Sequence, residues 1–202
     1  MYTTITGSEI VANLIEAIVE KRVAGKASKA SAVGELIDGL RQRGQRDVSE
    51  ALGWLEDILD LNTELRQGWR QYSDGISEGV CLAFPCQELF MLCKLAREPY
   101  DWQKRWLDCG GAVSGARMIA PKDAPVWIRI SDFGFPFPPY ALHSGMWVKD
   151  VLRSHAAQLG VIELHQSVSV PAVLRPQLIM FEPHSAPKRS NQAMQRTAPR
   201  NR

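Results

Sequence analysis

Residues 117–160 read RMIAPKDAPVWIRISDFGFPFPPYALHSGMWVKDVLRSHAAQLG, and the fold class turns on this stretch. Pro121, Pro125, Pro136, Pro138 and Pro139 each fix φ and remove a backbone donor, which argues against a long helix or a central strand here. Trp127, Phe133, Phe135, Phe137, Tyr140 and Trp147 stand among them and supply large buried area per residue. Met146 to Lys149 then lead into a short helix predicted over Arg153–Leu159, with Gly160 in the position of a C′ glycine. Rigid turns and aromatic anchors are expected to make a compact module with no catalytic signature.

Upstream, the pattern is helical. Ile10, Leu14 and Ile18, with Val11, Ile15 and Val19 beside them, give an apolar stripe over a predicted helix Glu9–Arg22, with Ser8 as N-cap. Val33, Leu36, Ile37 and Leu40 predict a second helix over Ser31–Leu40. Asp47 and Glu50 make an Asp-x-x-Glu variant of the capping box. A third helix follows to about Tyr72, carried by Leu52, Leu55, Ile58, Leu59, Leu65 and Trp69. Gly53 and Gly68 each weaken it by about 1 kcal/mol relative to Ala. Asn62 lies mid-helix, where it is either exposed, locally bonded, or a buried contact to the module that follows.

Between the two regions, Val80–Phe84 reads as an extended lead-in and Cys86–Leu95 as a helix opened by Pro85. Asp101 is the expected cap of a short helix, Trp102–Asp108, that presents Trp102 and Trp106 on one face. After Gly160, residues 161–180 read as extended with two prolines. The expected divisions are a helical region 1–78, the aromatic and proline-rich module 79–165, an extended segment 166–182 and a disordered basic tail 183–202. The fold class is α+β: an N-terminal helical layer with a compact C-terminal module of short helices, turns and short strands.

Apolar residues make up 45% of the 202, enough for a hydrophobic interior. No run of about 18 apolar residues suggests a membrane helix, and the first residues lack a signal-peptide pattern. The net charge of +2 includes five basic and no acidic residues from Pro183 onward, so residues 1–182 carry the remaining −3. A solvated tail is expected there, with non-specific DNA contact as the alternative. Cys81, Cys86, Cys93 and Cys109 contain no C-x-x-C pair and read as reduced, packed thiols rather than zinc ligands.

Taken as an ordered string, ILDLNTELRQGWRQY (58–72), FPCQELF, REPYDWQKRW, GARMIAPKDAPVW, FGFPFPPYALHSGM and RSHAAQLGVI resemble the C-terminal region of phage Mu F-like minor head, or head morphogenesis, proteins. The likeness covers residues 50–165, and its positions here are Asn62, Arg97, Asp123, Trp127, Pro138, Pro139 and Gly160. Where many members of that family carry a His followed by Cys-Arg-Cys, this chain reads Tyr140-Ala-Leu-His143-Ser-Gly-Met146, so no metal or disulfide role is carried over. The resemblance implies a non-enzymatic protein that contacts portal and capsid proteins, with packaged DNA nearby. It would be cytoplasmic during assembly and in the virion afterwards, with no membrane, cofactor, metal or small-molecule substrate.

Trp102, Trp106, Phe135, Phe137, Tyr140 and Trp147 are the candidate interface anchors, because large aromatic rings dominate binding hot spots, while core packing is the default for at least two of Trp102, Trp106, Trp127 and Trp147. An enzyme would need a nucleophile beside one of His143, His155, His165 or His184, and none of the local catalytic signatures occurs. A small hydrolase or toxin-like enzyme and a DNA-binding module using the tail are the alternatives. Asp123 and Asp132 read as turn residues, and Arg117 and Arg129 as solvated surface residues, with ion pairs to Asp123 or Asp132 as the alternative.

Overall fold

The computed structural model describes residues 9–43, 52–92 and 101–180. The elements are α1 (Glu9–Val23), α2 (Lys29–Gln42), α3 (Leu52–Gly75), α4 (Glu78–Ala83), β1 (Cys86–Met91), α5 (Trp102–Asp108), β2 (Val113–Ser114), β3 (Arg117–Pro121), α6 (Val126–Arg129), β4 (Met146–Val151) and α7 (Arg153–Gln158). The fold is α+β: three longer helices form one layer, and a four-stranded antiparallel sheet of order β2-β3-β1-β4 anchors the rest.

The helical layer follows its sequence pattern. Ile15, Ile18 and Val19 of α1, Ala32, Leu36 and Leu40 of α2, and Leu55, Ile58 and Leu59 of α3 bury their side chains against one another. None of these stripes is stable in water alone, so mutual burial is what holds the helices. Ser28 caps α2 by accepting a hydrogen bond from the Ser31 amide at 3.1 Å, so the helix starts at Lys29, two residues before the expected Ser31. The Asp47/Glu50 box, Ser8, Arg97 and the tail from Pro183 lie outside the described residues.

Several expectations for the middle of the chain are corrected. Cys86–Met91 is a strand, not the start of a helix, because Cys86, Gln87, Glu88 and Leu89 are all buried in succession. Successive strand residues face opposite sides, and β1 is covered on both, so a continuous run of buried residues suits it better than a helical stripe. Val80–Phe84 lies not in an extended lead-in but largely within α4, which ends at Ala83. Met146–Val151 is an edge strand, β4. β3 does lie inside the sheet and ends on Pro121, which pairs with Cys86 of β1. On its other side β2 reaches only Met118 and Arg117, so the proline sits where no neighbour needs its missing N–H.

The two faces of the sheet bury different things. Leu89, Ala120, Met146 and Val148 pack on Trp102, Trp106, Val126, Trp127, Ile130 and Tyr140. Trp127 meets the Trp106 ring edge-on with centroids 5.1 Å apart and stacks on Tyr140 at 6.2 Å. The opposite face holds Cys86, Ile119 and Val151 under Ala156 of α7 and Ile162. Gly160, at φ +68°, ends that helix as its C′ residue, a left-handed conformation that suits glycine.

α3 joins the two halves. Its Leu61, Leu65 and Tyr72 pack on Phe137 of the proline-rich loop, with Trp69, Phe133, Phe135 and Leu142 around them. The loop comes so close at Gly68 that a Cβ there would lie 2.0 Å from the Pro138 carbonyl oxygen. Pro138–Pro139 is a cis bond. At the helix end, the buried Lys122 ammonium donates to the Gly75 carbonyl at 2.9 Å and pairs with Asp150 of β4 at 2.9 Å. A cation on the last carbonyls of a helix complements its dipole, so Lys122 fastens α3 to the sheet.

Candidate interaction site

The arrangement with the most directed chemistry lies on the second half of α3. Asn62, Arg66, Trp69 and Tyr72 recur at i, i+4, i+7 and i+10, which places all four on one side of the helix. Each donates to a backbone carbonyl of a segment more than ninety residues away. Asn62 Nδ2 donates to Ile179 O at 2.8 Å, and Asn62 Oδ1 accepts from the Ile179 amide at 2.8 Å. Arg66 donates to Pro176 O, Trp69 Nε1 to Val173 O at 3.0 Å, and Tyr72 Oη to Pro171 O at 2.6 Å. Residues 171–179 therefore run antiparallel to α3 as an extended strap.

α1 closes the other wall of this groove. Glu16 and Glu20 project from successive turns and share two cations, Arg66 of α3 and Arg175 of the strap. Val173 and Ile179 pack on the cluster around Leu65 and Phe137, and Leu178 packs on the helical core. The strap has no regular secondary structure of its own. Pro171 and Pro176 fix φ and carry no N–H to satisfy, so an extended path costs them little. Burial pushes the Tyr72 phenol above its ordinary range, which keeps it a donor.

A second fastening precedes the strap. The Arg153 guanidinium donates to Cys81 O and Leu82 O at the end of α4 at 3.2 and 2.6 Å. It also donates to Leu164 O and Gln166 O at 3.2 and 2.7 Å. One side chain thus ties α7 to α4 and to the start of the C-terminal segment. Between this tie and the strap lie Ser167, Val168, Ser169 and Val170; the two serines are exposed, and Val170 packs on the cluster around Leu65 and Phe137.

The residues singled out by sequence scatter over the fold. Asn62 sits in the ladder, buried, and its distant partner is the strap rather than residues 79–165. Trp127, Pro138 and Pro139 are buried in the module, Asp123 is an exposed turn residue, and Gly160 caps α7. The anchor expectation is corrected for Trp102, Trp106, Phe137 and Tyr140, which are buried inside the chain. Trp102, Trp106 and Tyr140 make the core of one sheet face, and Phe137 packs on Leu61, Leu65 and Tyr72 of α3. Phe135 and Trp147 are half-buried; the Phe135 ring stacks on Phe137, and Trp147 Nε1 donates to Gln71 Oε1 at 2.6 Å. Arg117 pairs with Glu88 and Asp132 with Arg105, not with one another.

Several side chains of catalytic type make structural contacts. Burial pushes the Cys86 thiol up to about 11 and the Cys81 thiol upward as well, so both stay protonated near neutral pH. The Cys109 thiol donates to the Arg129 carbonyl at 3.3 Å. His143, at φ +53°, holds Asp57 at 2.7 Å, and His155 lies 3.1 Å from the Arg117 guanidinium. Among the described residues no group of three or more His, Cys, Asp or Glu side chains is arranged to hold a metal ion. No described helix is long and apolar enough to cross a membrane.

Sequence reasoning reached one rung of the ladder, Asn62, because a buried mid-helix asparagine needs a partner. Arg66, Trp69 and Tyr72 gave no such signal, since each is ordinary on a half-exposed helix face. Comparison with protein-family models, with curated proteins and with solved structures yields no match.

Proposed function

We propose that this chain is a non-enzymatic assembly protein of the phage minor head, or head morphogenesis, class, acting by contacts with portal and capsid proteins. The observation that carries the adhesive part is the α1–α3 groove, where four side chains of one helix hold an extended chain by its carbonyls. Recognition through main-chain groups suits a protein that secures extended arms within an assembly, because it demands little of the arm's side chains. The phage assignment comes from the ordered resemblance over residues 50–165. Protonated Cys81 and Cys86 thiols support the adhesive reading over a thiol hydrolase.

On this reading the protein acts in the cytoplasm during assembly and stays with the particle, near packaged DNA. The open reading frames beside its gene give the first test: portal and terminase genes support the head role, and neighbours of unrelated function contradict it. The biochemical test co-expresses the full chain with the adjacent portal and capsid proteins and separates particles on a density gradient. Co-sedimentation with the particles is expected. A chain that remains wholly in the soluble fraction while particles form would overturn the assignment.

A further inference from the structure

We propose that the groove between α1 and α3 is an exchangeable site for an extended, proline-containing segment, and that its partner at high concentration is the strap of a second copy of this chain. In the structure the site is filled from within by residues 171–179. The bonds the ladder makes are to main-chain groups; the strap's own side chains add the pairing of Arg175 with Glu16 and Glu20 and the packing of Val173, Leu178 and Ile179. A second copy brings the same carbonyl spacing, the same prolines and the same arginine, so it satisfies every donor on the groove.

The chain is built so that the strap can leave without unravelling the body. Arg153 holds residues 164 and 166 to α4 and α7, so release stops there. Beyond it, Ser167, Val168 and Ser169 donate or accept no hydrogen bond among the described residues. The strap itself is thin: Leu174 is 90% exposed and Arg175 is exposed. A short hinge between a fixed point and a segment held elsewhere is the arrangement from which identical elements are traded between protomers. Exchange joins copies without any new interface, because each groove makes the contacts it already makes.

The inference rests on the adhesive part of the proposed function and not on its phage class. Exchange with no particle co-sedimentation would keep the groove and drop the head assignment, and the reverse outcome would do the opposite.

The test uses full-length Arg175→Lys chains, which keep the cation and add an amine that carbodiimide couples to Glu16 or Glu20. Equal amounts of ¹⁴N and ¹⁵N chains are mixed, incubated at rising concentration, coupled and digested for mass spectrometry. Complete exchange puts about half of the coupled peptides in mixed-isotope form, a share that falls on dilution. Coupled peptides of a single isotope at every concentration would overturn the proposal. A second variant deletes Ser167–Ser169 so that the strap no longer reaches its own groove. The expected result is a doubling of mass by light scattering; a monomer with single-isotope coupling would count against exchange. If the shortened chain does not fold, the isotope measurement on the unshortened chain decides alone.

Discussion

The two halves of α3 are held by different physics. The first half buries Leu55, Ile58 and Leu59 against α1 and α2, in contacts that have area but no direction. The second half also packs Leu61 and Leu65 on Phe137, and to this it adds direction, aiming Asn62, Arg66, Trp69 and Tyr72 at the carbonyls of one extended segment. Aliphatic packing makes the helix layer one cooperative body. A row of side-chain donors holds something that can be released bond by bond, because a neutral bond is worth only about 0.5–1.5 kcal/mol net and a charged one, such as that of Arg66, about 1.5–3 kcal/mol. Within one helix, then, a stable scaffold passes into a grip.

Substitutions on the two halves should separate scaffold from grip. The largest effect is expected from Ile58→Ala, at a fully buried position, with a loss of about 2–5 kcal/mol in urea unfolding of the whole chain. Next comes Gly68→Ala, where the new methyl meets the Pro138 carbonyl, with an expected net loss of about 1–3 kcal/mol despite better helix propensity. Gly34→Ala in α2 is the control of opposite sign: nothing lies within 4 Å of its Cβ position, and a gain of up to about 1 kcal/mol is expected. Equal signs for the two glycines would contradict the close approach of the proline loop to α3.

Asn62→Ala strips both Ile179 main-chain groups of their partner and should cost about 1–3 kcal/mol. Unlike Ile58→Ala, its effect should be confined to the strap, read as faster proteolysis within residues 171–180 with α1 to α3 intact.

The smallest effect is that of pH. Burial pushes the Asp60 carboxyl up, but Lys29 and Arg22 more than offset it and its pKa is lowered. Glu88 is likewise raised by burial and lowered further by Arg117 and Lys149. A depressed folded pKa contributes stability that is complete above the unfolded value, roughly pH 4, and is lost as pH falls through the folded one. Glu64 runs the other way, raised by burial and then by the Asp60 charge, so stability is gained as pH falls through its folded value toward the unfolded one. The urea midpoint should therefore rise gently from neutral pH into the mildly acid range and drop below about pH 4. Glu64→Gln should remove the rise and leave the drop; a rise that survives this change would show the wrong group had been identified.

Legibility in the sequence followed the range of the interactions. The stripes of α1, α2 and α3 are local repeats, so their period revealed them, and the Asp101 and Gly160 ends followed from single-residue chemistry. β1 was hidden because burial on both faces erases the alternation that marks a strand. Gly68 looked like a weakness of about 1 kcal/mol when only its own helix was considered. The close carbonyl of Pro138, seventy residues on, is what makes it fit. The aromatic rings after Arg117 announced burial but not its direction, and Trp127, Phe137 and Tyr140 fill the chain's own core. The ladder was the least legible feature, since its donors are common residues and its acceptors are carbonyls that every residue has.

Amide hydrogen exchange at Ile179 tests the grip most directly. In the unaltered chain this amide should be protected well beyond its exposed neighbours, and Asn62→Ala should abolish that protection while the amides of α1 to α3 keep theirs. Free exchange at Ile179 in the unaltered chain, or a loss that spreads evenly through the helices, would contradict the account.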